Sequence, residues 1–211
     1  KESKKKKAPL YHLWQMTSER KLADKLGENM NMPLFQRHNL GIAISALSLL
    51  NIDISTDTII RSVSNLKKNT FFYGRYEVLG EEPLTILDVA HNITAIKFLL
   101  KEVPSAPLYH IICAFSRDRP VEKISKVFPE NSLFYLTEYR GVRSFKASEL
   151  LSFFPTNKVY GVFDDPLRAV NIATRNASRN EVLLITGSFY LVATLLEPRI
   201  KGELGEIKSL K

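Results

Sequence analysis

The apolar positions of this chain follow two regimes that meet near residue 70. In the first, Leu40 to Leu50 is a nearly unbroken stretch of apolar and small residues behind Pro33, which predicts a buried, closely packed helix. Ser55-Thr56-Asp57 ahead of Ile59, Ile60, Val63 and Leu66 supplies an N-cap and then a helical stripe. That second helix is expected to end near Leu66, with Lys67-Lys68-Asn69 as a connector. Beyond Thr70, strand-like runs (Leu84–Leu87, Tyr109–Phe115, Leu133–Leu136, Val159–Val162, Val182–Ile185) alternate with helical ones (Thr94–Val103, Val121–Phe128, Ala147–Phe154, Pro166–Ala173, Phe189–Leu196). Such alternation predicts an α/β fold: a Rossmann-like, mostly parallel sheet with helices on both faces, preceded by a helical segment. The expected division is residues 1–70 and 71–211.

Composition narrows the function classes without altering that outline. With 45% hydrophobic and 25% charged residues in 211, the chain has the balance of a folded globular protein. The longest uncharged apolar run, Val182 to Leu196, is interrupted by Thr186-Gly187-Ser188 and falls short of the roughly 20 residues a membrane helix needs. No secretory signal opens the chain, and Cys113 is its only cysteine, so no intramolecular disulfide can form and a reducing, cytoplasmic setting is expected. The net charge of +8 is concentrated early, where Lys4 to Lys7 could attract phosphates or be a solvated end; nucleic acid is not the expected partner. The four histidines, His12, His38, His91 and His110, lack paired metal-ligand spacing, so no metal site is expected from the protein's side chains.

Parallel sheets bind ligands beyond the carboxyl ends of their strands. Asp88-Val89-Ala90-His91-Asn92 stands at such an end, where a carboxylate can accept from a ribose and an imidazole can meet an anion, or where Asp88 or Asn92 simply caps the next helix. Gly74-Arg75 follows the expected domain border, placing a guanidinium where it could pair with phosphate, or at an ordinary surface position. Gly187-Ser188 closes another strand as a ligand-facing or merely tight turn, and Arg117-Asp118-Arg119-Pro120 closes a third.

In order along the chain, Gln36-Arg37-His38-Asn39, Gly74-Arg75 with Glu77, Asp88-x-Ala90-His91-Asn92, Asp118-Arg119 and Gly187-Ser188-Phe189-Tyr190-Leu191-Val192 resemble the C-terminal half of folylpolyglutamate synthase and dihydrofolate synthase, within the ATP-dependent Mur ligase superfamily. The resemblance runs from about Pro33 to Leu196. It implies an ATPase domain and a smaller C-terminal α/β domain, with ATP, Mg2+, dihydropteroate or folate, and L-glutamate held between them. ATP phosphorylates the pteroate or folate carboxylate, and the glutamate amine attacks the acyl phosphate. By the same resemblance Asn39 lies near the adenine with Gln36 supporting it, Arg75 and His91 lie at the phosphates, and Asp88 holds the ribose. Ser188, Asp118 and Arg143 face the substrate; Arg75, His91 and Ser188 are the residues nearest the chemistry. Val89, Ile93 and Phe35 stand where the family usually has glycine, proline and histidine.

No glycine here opens a Gly-x-x-x-x-Gly-Lys-Ser/Thr phosphate loop. The chain therefore reads as the end of a central ATPase domain plus a complete C-terminal domain, inactive as a ligase by itself and partnered by a missing N-terminal ATPase domain of the same protein. Two other readings remain at this point: a non-catalytic nucleotide- or nucleic-acid-binding module, and a fragment of a cell-wall Mur ligase.

Overall fold

The structure is a computed structural model that describes residues 9–12, 15–70 and 72–200, so the Lys4 to Lys7 run lies outside the described residues. The chain divides into two compact units, Lys1–Phe72 and Tyr73–Lys211.

The first unit is helical: α1 Thr17–Asn29, α2 Leu34–Leu49, α3 Thr56–Ser64 and α4 Leu66–Thr70. Pro33 sits immediately before α2, where its missing N–H costs nothing, and the Ser55 hydroxyl accepts the Thr58 amide to start α3. A small core forms where Ala23 and Leu26 of α1, Ile44 of α2 and Ile59 of α3 meet. The expected burial of Leu40 to Leu50 is corrected here. Only Gly41, Ile44 and Ser45 of α2 are buried, while Ile42, Leu49 and Leu50 are exposed, because one stripe of the helix is enough to cover so small a core. Lys67-Lys68-Asn69 is likewise not a connector. It is the body of α4, which the Asn69 amide joins to the preceding turn through the Asn65 carbonyl.

The second unit is a six-stranded sheet in the order β1-β2-β6-β3-β4-β5, built from Glu77–Glu81, Leu84–Leu87, Tyr109–Cys113, Ser132–Thr137, Val159–Phe163 and Val182–Thr186 numbered in chain order. Only β1 runs antiparallel, against β2. The connections are α5 Ile93–Glu102, α6 Val121–Ser125, α7 Ala147–Leu150 and α8 Pro166–Asn176, with α9 Phe189–Ile200 after β6. Crossovers β2→β3, β3→β4 and β4→β5 all advance the same way across the sheet, so right-handedness places α5, α6 and α7 on one face. The β5→β6 return passes back over two strands and therefore carries α8 to the other face.

Period-two alternation feeds both faces. Ile111, Cys113 and Phe115 of the β3 segment pack with Ile96, Leu99, Ile124 and Leu150, whereas Ile112 and Ala114 pack with Ala169, Ala173, Leu191 and Val192. Because β3, β4 and β6 are covered on both sides, they read as continuous apolar runs in the sequence. The sheet's β1 edge escaped that pattern, since Glu77-Val78-Leu79-Gly80-Glu81 is half exposed and carries charge at both ends.

Candidate functional site

Strands β2 and β6 are neighbours, yet their chains leave toward opposite faces, β2 into α5 and β6 into α9. A crevice opens at such a divergence. Three stretches of the second unit converge there: Gly74–Glu77, Asp88–Asn92 and Gly187–Phe189.

Main-chain hydrogen bonds fasten them together. The Val89 amide donates to the Gly74 carbonyl at 2.9 Å, and the Ala90 carbonyl accepts both the Gly187 amide at 2.8 Å and the Thr186 hydroxyl at 3.0 Å. Gly187 has φ 109°, and a Cβ there would come within 2.5 Å of the Ala114 carbonyl, so the turn demands glycine. Gly74, at φ 76°, has room for no side chain between Val89 and Val192.

Asp88 is buried, and its two oxygens accept from the Tyr76 and Ala90 amides, both at 2.7 Å. Burial raises its pKa from the ordinary value, against the opposing pull of those two N–H groups, Arg75 and His91. Both Asp88 oxygens are thus engaged by main-chain N–H groups, and through one of them Asp88 holds Tyr76 in a left-handed conformation, φ 49°, and so shapes the backbone on which Arg75 sits. The helix-capping role belongs to Asn92, whose side chain accepts the Ala95 amide at 2.9 Å.

His91 directs Nδ1 to the Val89 carbonyl at 2.9 Å. A carbonyl only accepts, so Nδ1 carries a proton, and Nε2 is left to the other side of the ring. The His91 ring lies 5.6 Å from that of Phe189, and the Arg75 guanidinium stands 5.4 Å from the same ring. The structure thus brings Arg75 and His91 together on one aromatic side chain, which the sequence reading had not singled out. Its position directly after Gly187-Ser188, at the mouth of a strand, was the available signal. Ser188 is buried beside them, its Oγ accepting the Tyr190 amide at 3.1 Å at the start of α9.

Asp118 and Arg143 are exposed and lie on the loops after β3 and β4. Those loops are joined by a bridge between Ser116 and Ser144 and by the Arg117 amide on the Arg143 carbonyl at 2.8 Å. Gln36 and Asn39 occupy the first turns of α2 in the first unit, Gln36 half-buried and Asn39 exposed. Among the described residues no three His, Cys, Asp or Glu side chains are grouped to hold a metal ion, and no helix is long and apolar enough to cross a membrane.

Residues 74–189, more than half of the chain, match the family model described as Mur ligase, glutamate ligase domain. The chain belongs to this Mur ligase family. The chain is 25% identical over 177 residues to the dihydrofolate synthase/folylpolyglutamate synthase of Escherichia coli strain K12, a match covering 81% of this chain and 40% of that protein. The enzyme of the same description from Buchnera aphidicola subsp. Baizongia pistaciae is 23% identical over 158 residues, covering 73% and 36%. Among solved structures, bifunctional folylpolyglutamate synthase/dihydrofolate synthase from Yersinia pestis CO92 superposes with a TM-score of 0.62 at 24% identity over 76% of this chain and 39% of that one. E. coli FolC in complex with ADP gives 0.63 at 22% identity, covering 80% and 40%. These structures share the Mur ligase domain's fold, and the chain spans about 40% of the length of the relatives named here.

Proposed function

We propose that this chain is the C-terminal part of an ATP-dependent ligase that joins L-glutamate to dihydropteroate or folate through an acyl phosphate, in a cytoplasmic setting. The observation that carries the proposal is the meeting of Arg75 and His91 on Phe189, at the ends of β2 and β6, with Ser188 in the adjoining turn. Membership of the Mur ligase family and two relatives described as folate ligases favour folate over cell-wall precursors.

In this proposal Arg75 presents a bidentate donor to transferring phosphoryl oxygens, where fixed positive charge is most effective. His91 offers Nε2 toward the same space, its ring held by the Val89 carbonyl. ATP supplies the phosphoryl group that activates the folate-side carboxylate. Ser188 retains a hydroxyl proton to donate toward the glutamate side, since its Oγ only accepts from Tyr190. The family resemblance makes Asn39 and Gln36 the adenine contacts of the first unit, which would be the end of the central ATPase domain. Magnesium would arrive on the nucleotide's phosphates, and the phosphate loop would come from an N-terminal ATPase domain. The isolated chain is accordingly expected to show no glutamate-dependent ADP release.

The decisive test is Arg75→Ala in the complete enzyme. Loss of turnover by about a hundredfold or more, with unchanged thermal unfolding, is the expected result. Near-normal kinetics would remove Arg75 from the phosphate role.

A further inference from the structure

Tyr139 follows β4 and is buried, with 4% of its surface exposed, although it ends in a hydroxyl. That hydroxyl is 2.6 Å from Ser116 Oγ on the loop after β3, and the Tyr139 amide donates to Ser144 Oγ at 3.2 Å on its own outgoing loop. Its ring stacks on Tyr190 at 5.1 Å between centroids and 23° between planes, and Tyr190 donates its amide to Ser188. Each of its partners therefore stands within two residues of a substrate-side candidate: Ser116 by Asp118, Ser144 by Arg143, Tyr190 by Ser188.

We propose that Tyr139 is a positioning residue that gathers Ser188, Asp118 and Arg143 into one subsite for the amino-acid substrate. The inference rests on the ligase reading above and deepens it. The chemistry of the gathered groups suits an α-amino acid with an extra carboxylate: Arg143 matches a carboxylate, Asp118 an ammonium, and the Ser188 hydroxyl either. The Tyr139 hydroxyl bonds to Ser116 and its ring stacks on Tyr190, neither of them one of the three. It acts through the loops that carry them, with the Tyr139–Ser116 bond setting the spacing of the β3 and β4 exits and the stack on Tyr190 setting that of α9.

The test compares the complete enzyme with its Tyr139→Phe, Ser116→Ala and doubly substituted variants, titrating glutamate and ATP separately. Each single variant is expected to raise the glutamate KM about tenfold while leaving the ATP KM within about twofold. The double variant should be no worse than either single, because both remove the same hydrogen bond. Unchanged glutamate KM in a folded variant overturns the proposal, as does an equal rise in both KM values, which is the mark of general loosening. Should Tyr139→Phe fail to fold, Ser116→Ala decides by the same criteria. A wild-type enzyme that consumes no glutamate overturns the ligase reading itself, and this subsite with it.

Discussion

The two ends of the parallel sheet each carry a histidine, and the two are wired in opposite ways. At the amino end, buried His110 engages both ring nitrogens, Nδ1 with the Tyr135 hydroxyl and Nε2 with Glu181 Oε2, each at 3.0 Å. Its partners are engaged in turn, since Asn176 donates to Tyr135 at 3.2 Å and the Ser178 amide donates to Glu181 at 2.7 Å. At the carboxyl end His91 spends one nitrogen on its own loop and lies half-buried against Phe189. A closed network stabilises and specifies the fold, whereas a half-engaged imidazole beside a guanidinium has bonding capacity left for a ligand. The difference separates a structural histidine from a candidate functional one without reference to composition.

Exchanging each histidine for alanine should break that comparison if it is wrong. His110→Ala leaves a cavity and removes one hydrogen bond each from buried Tyr135 and half-buried Glu181, so a loss of about 4 kcal/mol is expected in denaturant unfolding. In the same assay His91→Ala should cost under about 1 kcal/mol while abolishing most turnover of the complete enzyme. Equal stability losses would sink the distinction. Gly187→Ala comes next, at about 3 kcal/mol, because it adds backbone strain to a Cβ pressed against the Ala114 carbonyl.

Asp88→Asn should cost about 2 kcal/mol, since one acceptor oxygen becomes an NH2 facing a backbone N–H. A variant as stable as the parent would show that the Asp88 bonds do not hold the Tyr76 turn. The smallest effect concerns pH. Burial works to raise the Glu181 pKa, but the Ser178 amide and His110 outweigh it and leave the carboxyl below its ordinary value of 4.5. A depressed folded-state value stabilises above the unfolded pKa and is lost as pH falls through the folded one. The stability gap between the wild type and Glu181→Gln should therefore narrow as pH drops from about 6 to about 3, and a gap that widens would contradict this assignment.

The alternation of strands and helices was legible because strands covered on both faces are written as unbroken apolar runs, Tyr109 to Phe115 above all. Edge and surface elements were not. Strand β1 mixes charge with apolar residues, and α4 is held by main-chain bonds that Lys67-Lys68-Asn69 does not announce. Helix boundaries also shortened: the stretch expected as Val121–Phe128 is helical only to Ser125, and Ala147–Phe154 changes to a tighter turn after Leu150. Among the candidates, His91 and Ser188 could be named from their places at strand ends and Arg75 from the expected domain border. The hydrogen bonds of Asp88 could not, because one of them comes from the Tyr76 amide 12 residues earlier in the chain. Phe189 and Tyr139 escaped notice for a related reason: their significance lies in ring contacts and hydrogen bonds to loops 23 or more residues away, or to a different strand's exit.

Arg75 is bracketed by two residues of positive φ, Gly74 and Tyr76, and the Tyr76 amide is held by Asp88. Its bearing is consequently a property of the main chain, inherited by whatever residue occupies the position. Lysine there would keep the heading while giving up the planar fork, and glutamate would carry the opposite sign along the same line, so the pedestal can be retained and its cargo exchanged.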